Sequence, residues 1–241
     1  MKSLNNKVAL ITGGTKGIGF GIAQSLMEQG INVAITGRQA ESAKNASDQL
    51  NNNSKTNAKA IGLKADVRYL DSQKEAVDDI LKTFGQLDFV IANAGLRHFG
   101  NIEDLTSEQW NEVIDTNLTG VFNSIKASVD ELKKSKGYFI TISSLAGKNF
   151  FAGGSAYNAS KFGVTGFTQA IMLDLRKHRI KVSTIMPGSV ATYFNGKEPG
   201  DNDAWKIQSE DIGQMVVDLL KMNPRTLPSK IEVRPSMPPS K

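Results

Sequence analysis

The chain has 241 residues, a formal charge of +5 and no cysteine, which excludes disulfide-stapled modules, thiolate zinc sites and cysteine nucleophiles. No apolar run approaches the roughly 20 residues of a membrane span, or the apolar stretch of a secretory signal, so a soluble, cytoplasmic protein is expected. The excess positive charge points to nucleic acid, an anionic surface or a phosphate-bearing ligand, or simply to scattered solvated lysines.

Short β-rich apolar runs at 7–12, 32–36, 58–65, 87–92, 137–143, 180–186 and 230–234 alternate with stretches of helical spacing. Ile18, Ile22, Ala23 and Leu26 make one such stretch, and Ala76, Val77, Ile80 and Leu81 another. Most of the strand runs are continuously apolar, as expected when helices cover both faces of a sheet. The alternation predicts right-handed βαβ units and an α/β fold, a doubly wound, seven-stranded parallel sheet. The unbroken beat predicts a single domain over 1–241. The stretch 193–207 interrupts it, with Pro199-Gly200-Asp201 at its centre. A loop there borders the ligand crevice of a doubly wound sheet, which makes it a candidate substrate lid, with an ordinary surface loop as the alternative. The segment 235–241 holds three of the seven prolines and reads as an irregular tail. One long helical segment is expected over 107–134, with Trp110 in the core, and another over 155–177.

Thr12-Gly13-Gly14-Thr15-Lys16-Gly17-Ile18-Gly19 follows the first strand and opens the first helix. Glycines at such a turn let backbone N–H groups approach a pyrophosphate, which also meets the positive end of the helix dipole. About 20 residues on, an acid would bond the ribose hydroxyl of NAD, whereas an arginine accommodates the 2′-phosphate of NADP. The strand end carries Thr36-Gly37-Arg38 and no acid. Arg38 offers a bidentate fork and Lys16 a point charge, so NADP(H) is expected as the preferred cofactor, with NAD(H) the alternative.

These features, together with Asp66-Val67, Asn93-Ala94-Gly95, Asn117, Ser144, Tyr157-Asn158-Ala159-Ser160-Lys161 and Pro187-Gly188, resemble the short-chain dehydrogenase/reductase family in its single-domain form. Within it the chain is most similar to 3-oxoacyl-(acyl-carrier-protein) reductases. The likeness runs over 7–235, and Ser144 stands thirteen residues before Tyr157. Ala92 departs from relatives that carry a second asparagine there. The resemblance implies a Rossmann-like fold with helices on both faces and transfer of a hydride between a nicotinamide and a carbonyl or secondary alcohol, such as a 3-oxoacyl thioester or small ketone. It assigns Tyr157 as the general acid/base and Ser144 as the hydroxyl that orients the carbonyl. Lys161 would hold the nicotinamide ribose and lower the tyrosine pKa, and Asn117 would fix a water of the proton relay. Gly13, Gly17, Ile18 and Gly19 would line the pyrophosphate, with Thr15 and Lys16 also binding the cofactor, Asp66 and Val67 would line the adenine, and Asn93, Ala94 and Gly95 the ribose side. Pro187, Gly188, Val190 and Thr192 would hold the nicotinamide amide. The residues make chemical sense unaided: a phenol needs its proton made mobile near pH 7, and a lysine four residues on shares its helix face.

Candidate substrate residues are Arg97, Phe150, Tyr193 and Phe194, with Phe151, His98 and Trp205 nearby on the same loops. No metal, nucleic-acid or membrane partner is expected. The family resemblance implies a homo-oligomer, tetramer or dimer, paired through the two long helical segments and around the last strand. Ala156, Ala159, Phe162, Phe167 and Ala170 would supply an apolar seam or else face the sheet. The alternative to an enzyme is a catalytically idle NADP(H)-binding sensor or scaffold.

Overall fold

The computed structural model describes residues 4–193 and 198–237. Seven strands, β1 Val8–Thr12, β2 Asn32–Gly37, β3 Ala60–Lys64, β4 Phe89–Ala92, β5 Tyr138–Ile142, β6 Lys181–Pro187 and β7 Lys230–Val233, form one sheet in the order β3-β2-β1-β4-β5-β6-β7. Every neighbouring pair is parallel. The strand alternation explains how one short run serves two cores. In β1, Ala9 and Ile11 face one side while Val8 and Leu10 face the other. On the first side lie α1 (Gly17–Met27), α2 (Ala40–Asn53) and α7 (Ser209–Lys221), which contribute Ile22, Leu26, Leu50, Ile212 and Val216. On the second lie α3 (Leu70–Phe84), α5 (Gly120–Ser135) and α6 (Ser155–Leu175), which contribute Val77, Ile80, Ile125 and Val164. The expected Rossmann-like architecture is therefore present.

The chain winds outward from β1 to β3 in one direction and from β4 to β7 in the other. The direction changes between β1 and β4, and a crevice opens there at the carboxyl ends of the strands.

The single helical segment expected over 107–134 is in fact three pieces. An eight-residue α4 (Ser107–Ile114) runs into a π-helical turn at Asp115–Thr119, and α5 follows. At that turn the Gly120 N–H donates to the Asp115 carbonyl, five residues back instead of four. Trp110 is a second correction: α4 reaches the core through Val113, and the indole is left 38% exposed. Of the proposed apolar seam on α6, Ala156 is buried in the fold, Phe167 is half-buried, and Ala159, Phe162 and Ala170 face outward. Among the described residues no helix is long and apolar enough to cross a membrane.

Candidate active site

The crevice is a cleft of about 1070 Å³. Its floor at one end is the glycine loop between β1 and α1. Gly13 has φ +63°, and a Cβ there would stand 2.8 Å from the Ala94 Cα, so only glycine lets the 93–95 segment close over the loop. Thr12 locks the two together. Its hydroxyl accepts the backbone N–H groups of Asn93 and Ala94 at 3.0 and 3.1 Å, and the Asn93 amide donates back to the Thr12 and Gly13 carbonyls. Gly19 does not line the cleft. It packs under the loop, where a Cβ would meet the Asn93 amide at 2.6 Å. Gly13, Thr15, Lys16, Gly17 and Ile18 do line it, and α1 begins at Gly17, so the unpaired N–H groups of its first turn open at the loop. The fit to a dinucleotide pyrophosphate rests on this backbone cradle.

Arg38 lines the same end, 63% exposed, with its guanidinium 3.9 Å from Glu112. Asp66 and Val67 are beside it. The Asp66 carboxylate is taken by Arg68, whose Nη2 lies at 2.6 Å and whose backbone N–H donates at 3.0 Å. That Arg68 guanidinium holds the Asp66 carboxyl below the usual carboxylate range. Arg68 carried no sequence signal, since its meaning depends on the turn that folds it back onto Asp66.

At the other end Ser144 follows β5, and its Oγ accepts the Ala146 N–H at 3.1 Å. Tyr157 stands in the first turn of α6 and hydrogen-bonds the Ser144 hydroxyl. Lys161, one turn on, is 5% exposed, donates to the Ile142 carbonyl at 3.1 Å and has its Nζ 5.7 Å from the Tyr157 ring centre. All three line the cleft. Burial disfavours charge on both titratable groups: it raises the Tyr157 phenol and lowers the Lys161 ammonium from 10.5 to about 8. Lys161 is not among the groups that pull the Tyr157 phenol down here. The opposing pull on Tyr157 comes from the Ser144 hydroxyl and from Arg97, which stays charged.

Asn117 is buried behind the cleft wall, in the π-helical turn. Its amide donates to the Leu96 carbonyl (2.8 Å) and Ser160 Oγ (3.0 Å), and its Oδ1 accepts the Leu96 N–H at 2.8 Å. The side chain is thus a strut between the 93–97 segment and α6. Its Oδ1 and Lys161 Nζ flank the position a Gly95 Cβ would take, at 3.3 and 3.7 Å.

Asn93, Ala94, Gly95, Arg97, Pro187, Gly188, Val190, Thr192, Tyr193 and Trp205 also line the cleft. Phe150 does not. It is 86% exposed on a separate shallow groove, and Phe151 beside it turns inward. His98 turns away to Glu112 at 2.7 Å. Phe194 and part of the 193–207 stretch lie outside the described residues. Phe99 is the aromatic that sequence reasoning missed. It meets Tyr157 edge-on at 5.8 Å and Phe151 at 5.5 Å. Arg234 and Lys206 were missed likewise.

Comparison with known proteins agrees with this geometry. A short chain dehydrogenase family model matches residues 7–203. The chain is 36% identical over 190 residues to the 3-oxoacyl-(acyl-carrier-protein) reductase FabG of Chlamydia muridarum, covering 78% of this chain and 76% of that protein. An alcohol dehydrogenase of Thermococcus sibiricus complexed with 5-hydroxy-NADP superposes with a TM-score of 0.89 at 28% identity, over 98% of this chain and 99% of that one. A 3-ketoacyl-(acyl-carrier-protein) reductase of Brucella melitensis complexed with NADH shares the fold, with a TM-score of 0.87 over 97% of this chain and 99% of that one, at 23% identity. With a family model matched over most of its length and a seven-stranded parallel sheet to match, the chain belongs to the short chain dehydrogenase family of oxidoreductases.

Proposed function

We propose that this chain is an NADP(H)-preferring oxidoreductase that interconverts a carbonyl and a secondary alcohol. The observation that carries the reading is the Ser144–Tyr157–Lys161 cluster at one end of a cleft whose other end is a glycine-loop cradle. Gly13, Gly17 and Ile18 would hold the pyrophosphate, Asp66 and Val67 the adenine, and Asn93–Gly95 with Lys161 the nicotinamide ribose. Pro187, Gly188, Val190 and Thr192 would hold the amide. Arg38 and Lys16, with no acid at the end of β2, favour a 2′-phosphate. Bound there, a nicotinamide dinucleotide supplies or accepts the hydride.

The protein's own part is proton transfer and charge stabilisation. Tyr157 hydrogen-bonds the Ser144 hydroxyl, and a carbonyl oxygen bound beside them would accept both hydroxyls. Tyr157 then gives its proton to the developing alkoxide. The proton is replaced through Lys161 Nζ and a water held between that nitrogen and Asn117 Oδ1, in the space that Gly95 leaves open. We read the chain as one domain, with Tyr193 and Trp205 as parts of its cover. We also read it as pairing with further copies through the outward face of α5 and α6, where Phe122, Phe162 and Leu173 are exposed.

The test follows the absorbance of the reduced cofactor: NADPH oxidation with 3-oxoacyl thioesters and ketones, and NADP⁺ reduction with secondary alcohols. Turnover with at least one class is expected. Tight NADPH binding with no turnover of any class would leave the idle sensor or scaffold in its place.

A further inference from the structure

The described lining of the cleft carries six cations, Lys16, Arg38, Arg97, Lys161, Lys206 and Arg234, against one acid, Asp66. That acid is already bound by Arg68 at the glycine-loop end. Lys16 and Arg38 belong to the proposed 2′-phosphate site and Lys161 to the proton relay. Lys206 pairs with Asp203, and Arg234 lies 3.5 Å from Glu232. Arg97 is placed differently. It is half-buried on the loop after β4, and its guanidinium lies over the face of Phe99, with Cζ 4.4 Å from the ring centre. Phe99 in turn packs edge-on against Tyr157. The guanidinium is therefore held in the cleft lining two ring contacts from Tyr157.

Burial opposes the charge at this position, and its pull on the pKa is downward. The Tyr157 phenol offsets part of that cost, and an acidic group on the substrate would offset more of it. Stacking on Phe99 occupies one face of the guanidinium and fixes its plane, and the edge N–H donors then suit a planar two-oxygen acceptor.

We propose that Arg97 binds an acidic group on the substrate, so that this enzyme acts on carbonyl compounds carrying a carboxylate or a phosphate. The inference rests on the oxidoreductase reading of the cleft and narrows its substrate class.

The experiment is calorimetric titration of the NADP⁺-loaded protein, in which carbonyl compounds bind without reduction. The probes are 3-oxobutanoate, 4-oxopentanoate and 5-oxohexanoate, each against its methyl ester, which also spans the unknown spacing between carbonyl and acid. Dihydroxyacetone phosphate against dihydroxyacetone tests the phosphate source. At least one acid is expected to bind about tenfold tighter than its neutral partner, as a charge-assisted bidentate pair provides. The advantage should fall to threefold or less in Arg97→Met and survive in part in Arg97→Lys, a second variant that guards against a folding defect in the first. Equal binding of acid and neutral partner in every pair overturns the proposal, as does an advantage that persists in Arg97→Met. It also falls if Arg97 serves only the phenol, since the acid-to-ester ratio would then be flat. Parallel NADPH oxidation separates the two readings. Reduction of the esters with flat titrations sinks the acidic substrate and leaves the reductase. Arg97-dependent binding with no reduction of any probe does the reverse.

Discussion

At the glycine-loop end of the cleft, several side chains are paired within the protein before any ligand arrives. Thr12 holds Asn93 and Ala94, and Asp66 holds Arg68. At the Tyr157 end burial works against the groups that would do the chemistry, raising the phenol and lowering the ammonium. The first end is arranged to bind at little cost to the fold. The second buries an ammonium whose charge the surrounding packing disfavours, which is where stability and activity conflict.

Four substitutions bear on this contrast. Tyr157→Phe should lower turnover by about 10²–10⁴-fold while leaving NADPH affinity nearly unchanged. Steady-state rates and fluorescence titration read the two, and near-normal turnover would remove the phenol from its role. Lys161→Met should raise stability. A lysine with a depressed folded pKa withholds stability below about pH 8 and returns it as pH climbs towards 10.5. The gain at pH 7 is therefore about 3 kcal/mol before the lost bond to Ile142 is counted, and it fades above pH 10. Urea unfolding at the two pH values checks it; an unstable variant at pH 7 would mean that the Tyr157 end carries no such cost. Arg38→Asp should weaken NADPH relative to NADH by about 1.5–3 kcal/mol, the range for hydrogen bonds to charged groups. It should not shift the unfolding midpoint appreciably, because Arg38 is mostly exposed. Loss of stability together with cofactor preference would blur the difference between the ends. The smallest effect is expected at Phe150→Ala, whose ring is exposed outside the cleft. Specificity constants within about twofold of the parent are expected there.

The sheet and the glycine loop were legible because both are local patterns. Val8 to Ile11 is continuously apolar, and Thr12, Gly13 and Gly17 follow. The proposed catalytic residues were legible through the spacing of Ser144, Tyr157 and Lys161. What escaped depends on contacts between distant segments. Phe99 and Phe150 look alike as loop aromatics, and only the approach of the loop after β4 to the start of α6 decides that Phe99 meets Tyr157. Lys161 was the obvious cation for the phenol because it shares a helix face with it. α6 buries that amine deeply, and the groups that pull the phenol down are the Ser144 hydroxyl and Arg97, which no helix spacing reveals. The turn at Asp115–Thr119 left no mark either, since residues before and after it keep helical spacing.

That turn has a consequence for how the activity can be lost. It spends one extra residue without ending the helix, so the chain on either side remains continuous. Removing one residue there allows an uninterrupted α-helix from 107 to 135, and a one-residue shift rotates a side chain by about 100° around the axis. Asn117 would then leave Leu96, and the 93–97 segment would lose its strut against α6. The sheet and the glycine cradle make no bond to that amide. Under the proposed relay, loss of a single codon is thus a short path from a chain that turns over its ligand to one that only holds it.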